Sequence, residues 1–146
     1  MTKFFRASTV LAIALTAVTS SAFMARAEMM SYKATLNGAT EVPANDSKGT
    51  GMAEVGYDSA TKTLKWTVTY SGLTGEATAA HFHGPAEAGK NAGVAVPIAG
   101  KMSPMTGTMV LTDAQAADLM AGKYYVNVHT AMHKDGEIRG QVMTGK

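Results

Sequence analysis

Leu64-Lys65-Trp66-Thr67-Val68-Thr69-Tyr70 is the stretch whose reading decides the fold. Leu64, Trp66, Val68 and Tyr70 fall on one face of an extended chain; Lys65, Thr67 and Thr69 fall on the other. A period of two is the mark of a strand with one face in a core. Asp58-Ser59-Ala60-Thr61 supplies a turn before it, and Ala53, Val55 and Tyr57 supply the inward face of an antiparallel partner. Working outward, Tyr32, Ala34 and Leu36 form a first strand, ended by Asn37-Gly38. Another strand runs from Met105 to Leu111, with Met105, Met109 and Leu111 together on one face. The last two span Lys123 to Thr130 and Glu137 to Met143, joined by a hairpin loop over Ala131 to Gly136 in which Asp135-Gly136 is the turn signal. One short helix interrupts the pattern. Thr112 and Gln115 fit a capping box, Asp113 suits the positive helix start, Ala114 to Ala121 are good helix formers and Gly122 suits the stop. About seven strands at close spacing predict an all-β Greek-key sandwich or barrel with one short helix. Residues 84–104 are rich in Gly, Ala and Pro and read as a long excursion over the surface.

The chain has 146 residues, 46% of them hydrophobic, which suits a single packed domain. Zero Cys excludes disulfides, thiolate metal sites, iron–sulfur clusters and a cysteine nucleophile. Residues 1–27 read as a secretory signal: Lys3 and Arg6 precede an apolar Thr9 to Thr19, and Ala25-Arg26-Ala27 forms a cleavage site before Glu28. The apolar run is shorter than the roughly 20 residues of a spanning helix. Cleavage leaves residues 28–146, with 10 basic and 11 acidic side chains and no second run of membrane length. The processed chain is expected to be periplasmic or secreted, and its near-neutral charge offers no steering toward nucleic acid.

All four His fall in two short segments, Ala79-Ala80-His81-Phe82-His83-Gly84-Pro85 and Tyr124-Tyr125-Val126-Asn127-Val128-His129, with His133 in the hairpin loop. On a strand, residues two apart point the same way. Ala80 and Phe82 take the core side of the first segment, so His81 and His83 point outward. Tyr124, Val126 and Val128 take the core side of the second, leaving Tyr125, Asn127 and His129 on the outer face. Glu137, Arg139 and Gln141 point outward on the last strand, where Glu137 and Arg139 read as a solvated ion pair worth little. If the two His-bearing strands are neighbours, about 4.8 Å apart, three imidazoles can share one ion at about 2 Å. Imidazole ligation without thiolate favours Cu(II), Zn(II) or Ni(II). Nine Met after residue 27, among them Met29, Met30, Met102, Met105 and Met109, give copper some weight, because thioethers suit Cu(I); core filling is the stronger reading, since Met105 and Met109 already fall on an apolar strand face. The competing reading of the His set is structural hydrogen bonding. His133 would either close the site or face water.

Ala80-His81-Phe82-His83-Gly84-Pro85-Ala86, Gly122-Lys123-Tyr124-Tyr125-Val126-Asn127-Val128-His129-Thr130, Gly136-Glu137-Ile138-Arg139-Gly140-Gln141 and the opening Ala34-Thr35-Leu36-Asn37-Gly38-Ala39-Thr40-Glu41-Val42-Pro43 resemble the CHRD domain family over about residues 31–143. The family takes its name from chordin, an extracellular growth-factor antagonist, and its bacterial members are secreted single domains. The resemblance implies an immunoglobulin-like β-barrel with distant similarity to copper/zinc superoxide dismutase. His81, His83 and His129 match three copper ligands of the dismutases in order and strand context. This chain lacks a His-rich zinc loop, a fourth, bridging His, a disulfide and a long loop between His129 and Glu137.

Three functions follow as expectations. The first is an exported copper-binding protein for metal buffering, delivery or resistance, with zinc the alternative ion. His81, His83, His129 and His133 are its candidate ligands, and Tyr125, Asn127 and Glu137 are candidates to orient a ring. Its partners would be the ion itself or a metal-handling protein. The second is a metal-free extracytoplasmic interaction module. The third is a weak dismutase-like redox enzyme. No catalytic residue is assigned, because no nucleophile elbow, P-loop or dinucleotide fingerprint accompanies the strands.

Overall fold

The structure is a computed structural model and describes residues 28–145; the signal segment expected over 1–27 lies outside the described residues. Nine strands and one α-helix follow in the order β1 (Met29–Asn37), β2 (Thr50–Asp58), β3 (Thr63–Ser71), β4 (Ala77–His83), β5 (Val94–Ile98), β6 (Met105–Val110), α1 (Asp113–Met120), β7 (Tyr125–Thr130), β8 (Ile138–Gln141) and β9 (Met143–Thr144). All pairings are antiparallel, in the order β5-β4-β7-β8-β1-β2-β3-β6, with β9 beside β1. The sheet curls into a near-barrel, and alternate residues fill its inside. Leu64, Trp66 and Val68 of the decisive stretch are buried, against Ala53 and Val55 of β2 and Ala34 and Leu36 of β1.

The α1 capping box forms as expected: Thr112 Oγ1 accepts from the Gln115 amide, and the Gln115 side chain accepts from the Thr112 amide. Gln115 also donates to the Ala95 carbonyl of β5, and Ala116 and Leu119 are buried, which seats the helix against the sheet.

The sequence reading of about seven strands misses two. β9 has two residues, too few for a period. β5 lies inside the stretch taken as an excursion. It pairs only with β4, so Pro97, opposite His81, needs no second hydrogen-bonding neighbour. Met109, expected to share an apolar face with Met105 and Leu111, is 37% exposed while those two are buried.

The larger correction concerns the outer face of β7 and β8. Tyr125, Asn127, Glu137 and Arg139 do point away from the core, yet all are buried. Residues 84–93 form a strap across Tyr125 and Arg139. Gln141 donates to the Ala86 carbonyl, Arg139 to the Lys90 carbonyl and Asn91 Oδ1, and the Tyr125 hydroxyl to the Ala92 carbonyl. Glu137 and Arg139 are therefore not a solvated pair. Glu137 instead accepts from Ser47, Thr74 and Thr130, and its carboxylate ties the loops at 45–49 and 72–76 to the barrel end.

Candidate metal centre

β4 and β7 are neighbours, and their register sets the site. His81 pairs with Asn127, His83 with Tyr125 and Ala79 with His129, so His129 lies diagonal to His81 on the same outer face. Ala80 and Phe82 fill the core between them. The imidazole centroids of His81 and His129 are 5.0 Å apart, those of His81 and His83 5.5 Å, and those of His83 and His129 6.3 Å. Each ring offers one nitrogen within 4.8 Å of those of the other two. Three nitrogens on one ion at about 2.0–2.1 Å sit roughly 3–4 Å apart, so the group stands close to the spacing an ion requires.

Backbone carbonyls decide which nitrogens are free. His83 Nδ1 donates to the Ala92 carbonyl at 3.0 Å, and His129 Nδ1 to the Lys134 carbonyl at 2.8 Å. Each ring then keeps an Nε2 lone pair. His83 Nε2 is buried without a hydrogen-bond partner. His129 Nε2 lies 3.1 Å from His81 Nδ1, so in the metal-free protein His81 donates this bond. An ion taken by His81 Nδ1 would displace that proton. Burial pushes the His81 imidazole below its ordinary pKa, and the nearby His129 and His83 add to the effect. Burial lowers His83 as well, opposed by the Ala92 carbonyl and the Asn127 carboxamide. Both rings are thereby kept neutral near pH 7, the form a metal requires.

The remaining expected residues divide. Tyr125 stacks on His83 with ring centroids 4.9 Å apart and planes at 3°, and its hydroxyl shares the Ala92 carbonyl with His83. Asn127 donates to the Asp135 carbonyl, and its Oδ1 is buried without a partner. Glu137 orients no ring, because its hydrogen bonds all come from Ser, Thr and one backbone amide. His133 stands outside the three-imidazole group. Its backbone caps the hairpin turn, and it lines a separate cleft of about 210 Å³ with Glu41, Val42 and Asp135.

The family model of the CHRD domain matches residues 32–142, a span that holds all three converging histidines. The chain belongs to the CHRD family. No curated protein and no solved structure matches it. Among the described residues of this CHRD domain, no helix is long and apolar enough to cross a membrane.

Sequence reasoning missed three parts of this CHRD site. The ring-orienting groups are the carbonyls of Ala92 and Lys134, which every residue carries and no motif reveals. Arg139 lies behind Tyr125, with its guanidinium carbon 3.4 Å from the ring centroid. Glu41 is buried beneath Gly136, where a Cβ would come within 2.3 Å of its Oε1. Burial raises its carboxyl to about 7, opposed by Arg139 and Asn127 and assisted by Asp135. The one signal for Glu41 was its place in the family-like Thr40-Glu41-Val42-Pro43 run.

Proposed function

We propose that this CHRD domain is an exported copper-binding protein, with His81, His83 and His129 as the ligands, serving metal buffering, delivery or resistance outside the cytoplasm. The observation that carries the reading is the orphaned His83 Nε2, buried beside two other imidazoles in a site whose tautomers are fixed by carbonyls. A buried polar atom without a partner is costly, and an ion would satisfy it. The donor set is all imidazole, which suits copper over the hard cations, and the Irving–Williams order places Cu(II) above zinc. Bound copper would supply a one-electron couple; the chain's own contribution is to hold three imidazoles together and to fix two of them from behind.

One observation favours a metal-free module instead. The His81–His129 hydrogen bond satisfies a nitrogen of each ring without any ion. Copper titration of the purified protein separates the readings. Copper binding predicts one equivalent at sub-micromolar affinity, weakened at least about 100-fold by His129→Ala. Equal affinity in the two proteins would exclude the three-histidine geometry.

A further inference from the structure

The buried cation beside the site has a consequence for which ion it holds. Arg139 is 2% exposed. Its donors go to neutral acceptors, Asn91 Oδ1 at 2.7 Å and the Lys90 carbonyl, and among the described residues no carboxylate lies within 4 Å of it. A guanidinium is always charged, so this is a full positive charge in a desolvated place without an ion-pair partner. It lies against the Tyr125 ring, which in turn lies parallel to His83. The two centroid separations of 3.4 and 4.9 Å put the charge no more than about 8 Å from the centre of a proposed ligand ring.

We propose that the Arg139 guanidinium, seated behind the Tyr125–His83 stack, biases the three-histidine site toward the monovalent cuprous ion over divalent ions. This rests on the metal-binding reading above. The three ligands are neutral, and no carboxylate joins them, so nothing in the ligand set offsets a second positive charge on the ion. Arg139 repels Cu(II) with twice the energy it applies to Cu(I). At a separation of about 10 Å and an effective dielectric constant of about 20, one extra unit of charge shifts the affinity ratio by about tenfold. Glu41 acts in the opposite sense. It is close enough to Arg139 to have its own ionisation eased by it, and Asn127, which sits opposite His81, lies between it and the histidines. The other titratable groups lining the cleft with Glu41 are His133, Lys134 and Asp135 of the hairpin loop.

The test is the Cu(II)/Cu(I) potential of the copper-loaded protein at pH 8, by voltammetry, with bound copper counted in each sample. Arg139→Gln removes the cation and should lower the potential by about 59 mV, the one-electron equivalent of tenfold. Glu41→Gln removes the carboxylate and should raise it. Opposite signs are the signature of charge, because structural damage has no reason to split that way. Should Arg139→Gln fail to fold, Glu41→Gln still decides, since glutamine reproduces the protonated acid the fold already accommodates. One equivalent of copper with a potential unmoved by Glu41→Gln, or moved the same way by both variants, overturns the proposal and leaves copper binding standing. A wild-type protein that takes up no copper overturns both.

Discussion

Replacing Glu41 with Gln should make the metal-free protein more stable at pH 8, although it deletes a charge beside a buried arginine. Glu41 is 6% exposed, and its Oε1 has no hydrogen-bond partner. Burial raises its folded-state pKa from 4.5 to about 7, despite Arg139. Between those values the unfolded chain has lost the proton while the folded chain keeps it. The folded state then binds more protons, so the stabilisation is complete below the unfolded pKa and is lost as pH rises through about 7. At about 1.4 kcal/mol per unit the loss amounts to about 3 kcal/mol by pH 8. Gln cannot ionise and does not suffer it. His81 and His83, whose pKa values are lowered, add a slope of opposite sign as pH rises toward their ordinary value. That slope is common to both proteins and cancels in their difference. Urea denaturation with chelator at pH 5, 6, 7 and 8 measures that difference, which should grow from about 1 kcal/mol at pH 5 to about 3 kcal/mol at pH 8 in favour of Glu41→Gln. Parallel curves for the two proteins would refute the reasoning.

Glu137→Gln should behave in the opposite way. Hydrogen bonds from Thr130, Ser47 and Thr74 outweigh burial and hold its carboxyl below the ordinary range, so its stabilisation is present above the unfolded pKa and lost as pH falls through the folded one. Urea denaturation at pH 7 should show a loss of about 2–3 kcal/mol, because an amide nitrogen would face donors. Gly140→Ala places a Cβ 2.3 Å from the Thr35 carbonyl oxygen of the neighbouring strand; the same assay should show a loss of about 3 kcal/mol or more, since backbone cannot step aside. Thr112→Ala removes the cap of α1 and should cost about 1 kcal/mol in thermal melts, with copper affinity unchanged.

Parity along the strands was legible wherever a period of two ran for several residues. Leu64, Trp66 and Val68, and equally Tyr124, Val126 and Val128, are buried on the side the alternation assigns. The pairing of the two His-bearing strands followed from no local feature; it depends on β4 and β7 meeting across 41 intervening residues. Once they meet, parity alone puts His81, His83 and His129 on one face. β5 stayed hidden because Pro97 removes a donor, and a run of five residues flanked by Gly and Ala shows too little pattern.

Parity says which side of a sheet a residue faces and nothing of what lies over that side. Glu137 and Arg139 show the cost of equating outward with solvated. They sit two apart on one face, and each is buried in a different network. Arg139 meets Lys90 and Asn91; Glu137 meets Ser47, Thr74 and Thr130. A charge can be buried only where hydrogen bonds replace its water, and these partners come from four separate segments. The strap that supplies Asn91 also supplies Ala92, whose carbonyl orients His83 and receives the Tyr125 hydroxyl. Burial of Arg139 and orientation of His83 are thus outcomes of one docking event. A change that loosens the strap should disturb the arginine and the imidazole together, even where it touches neither.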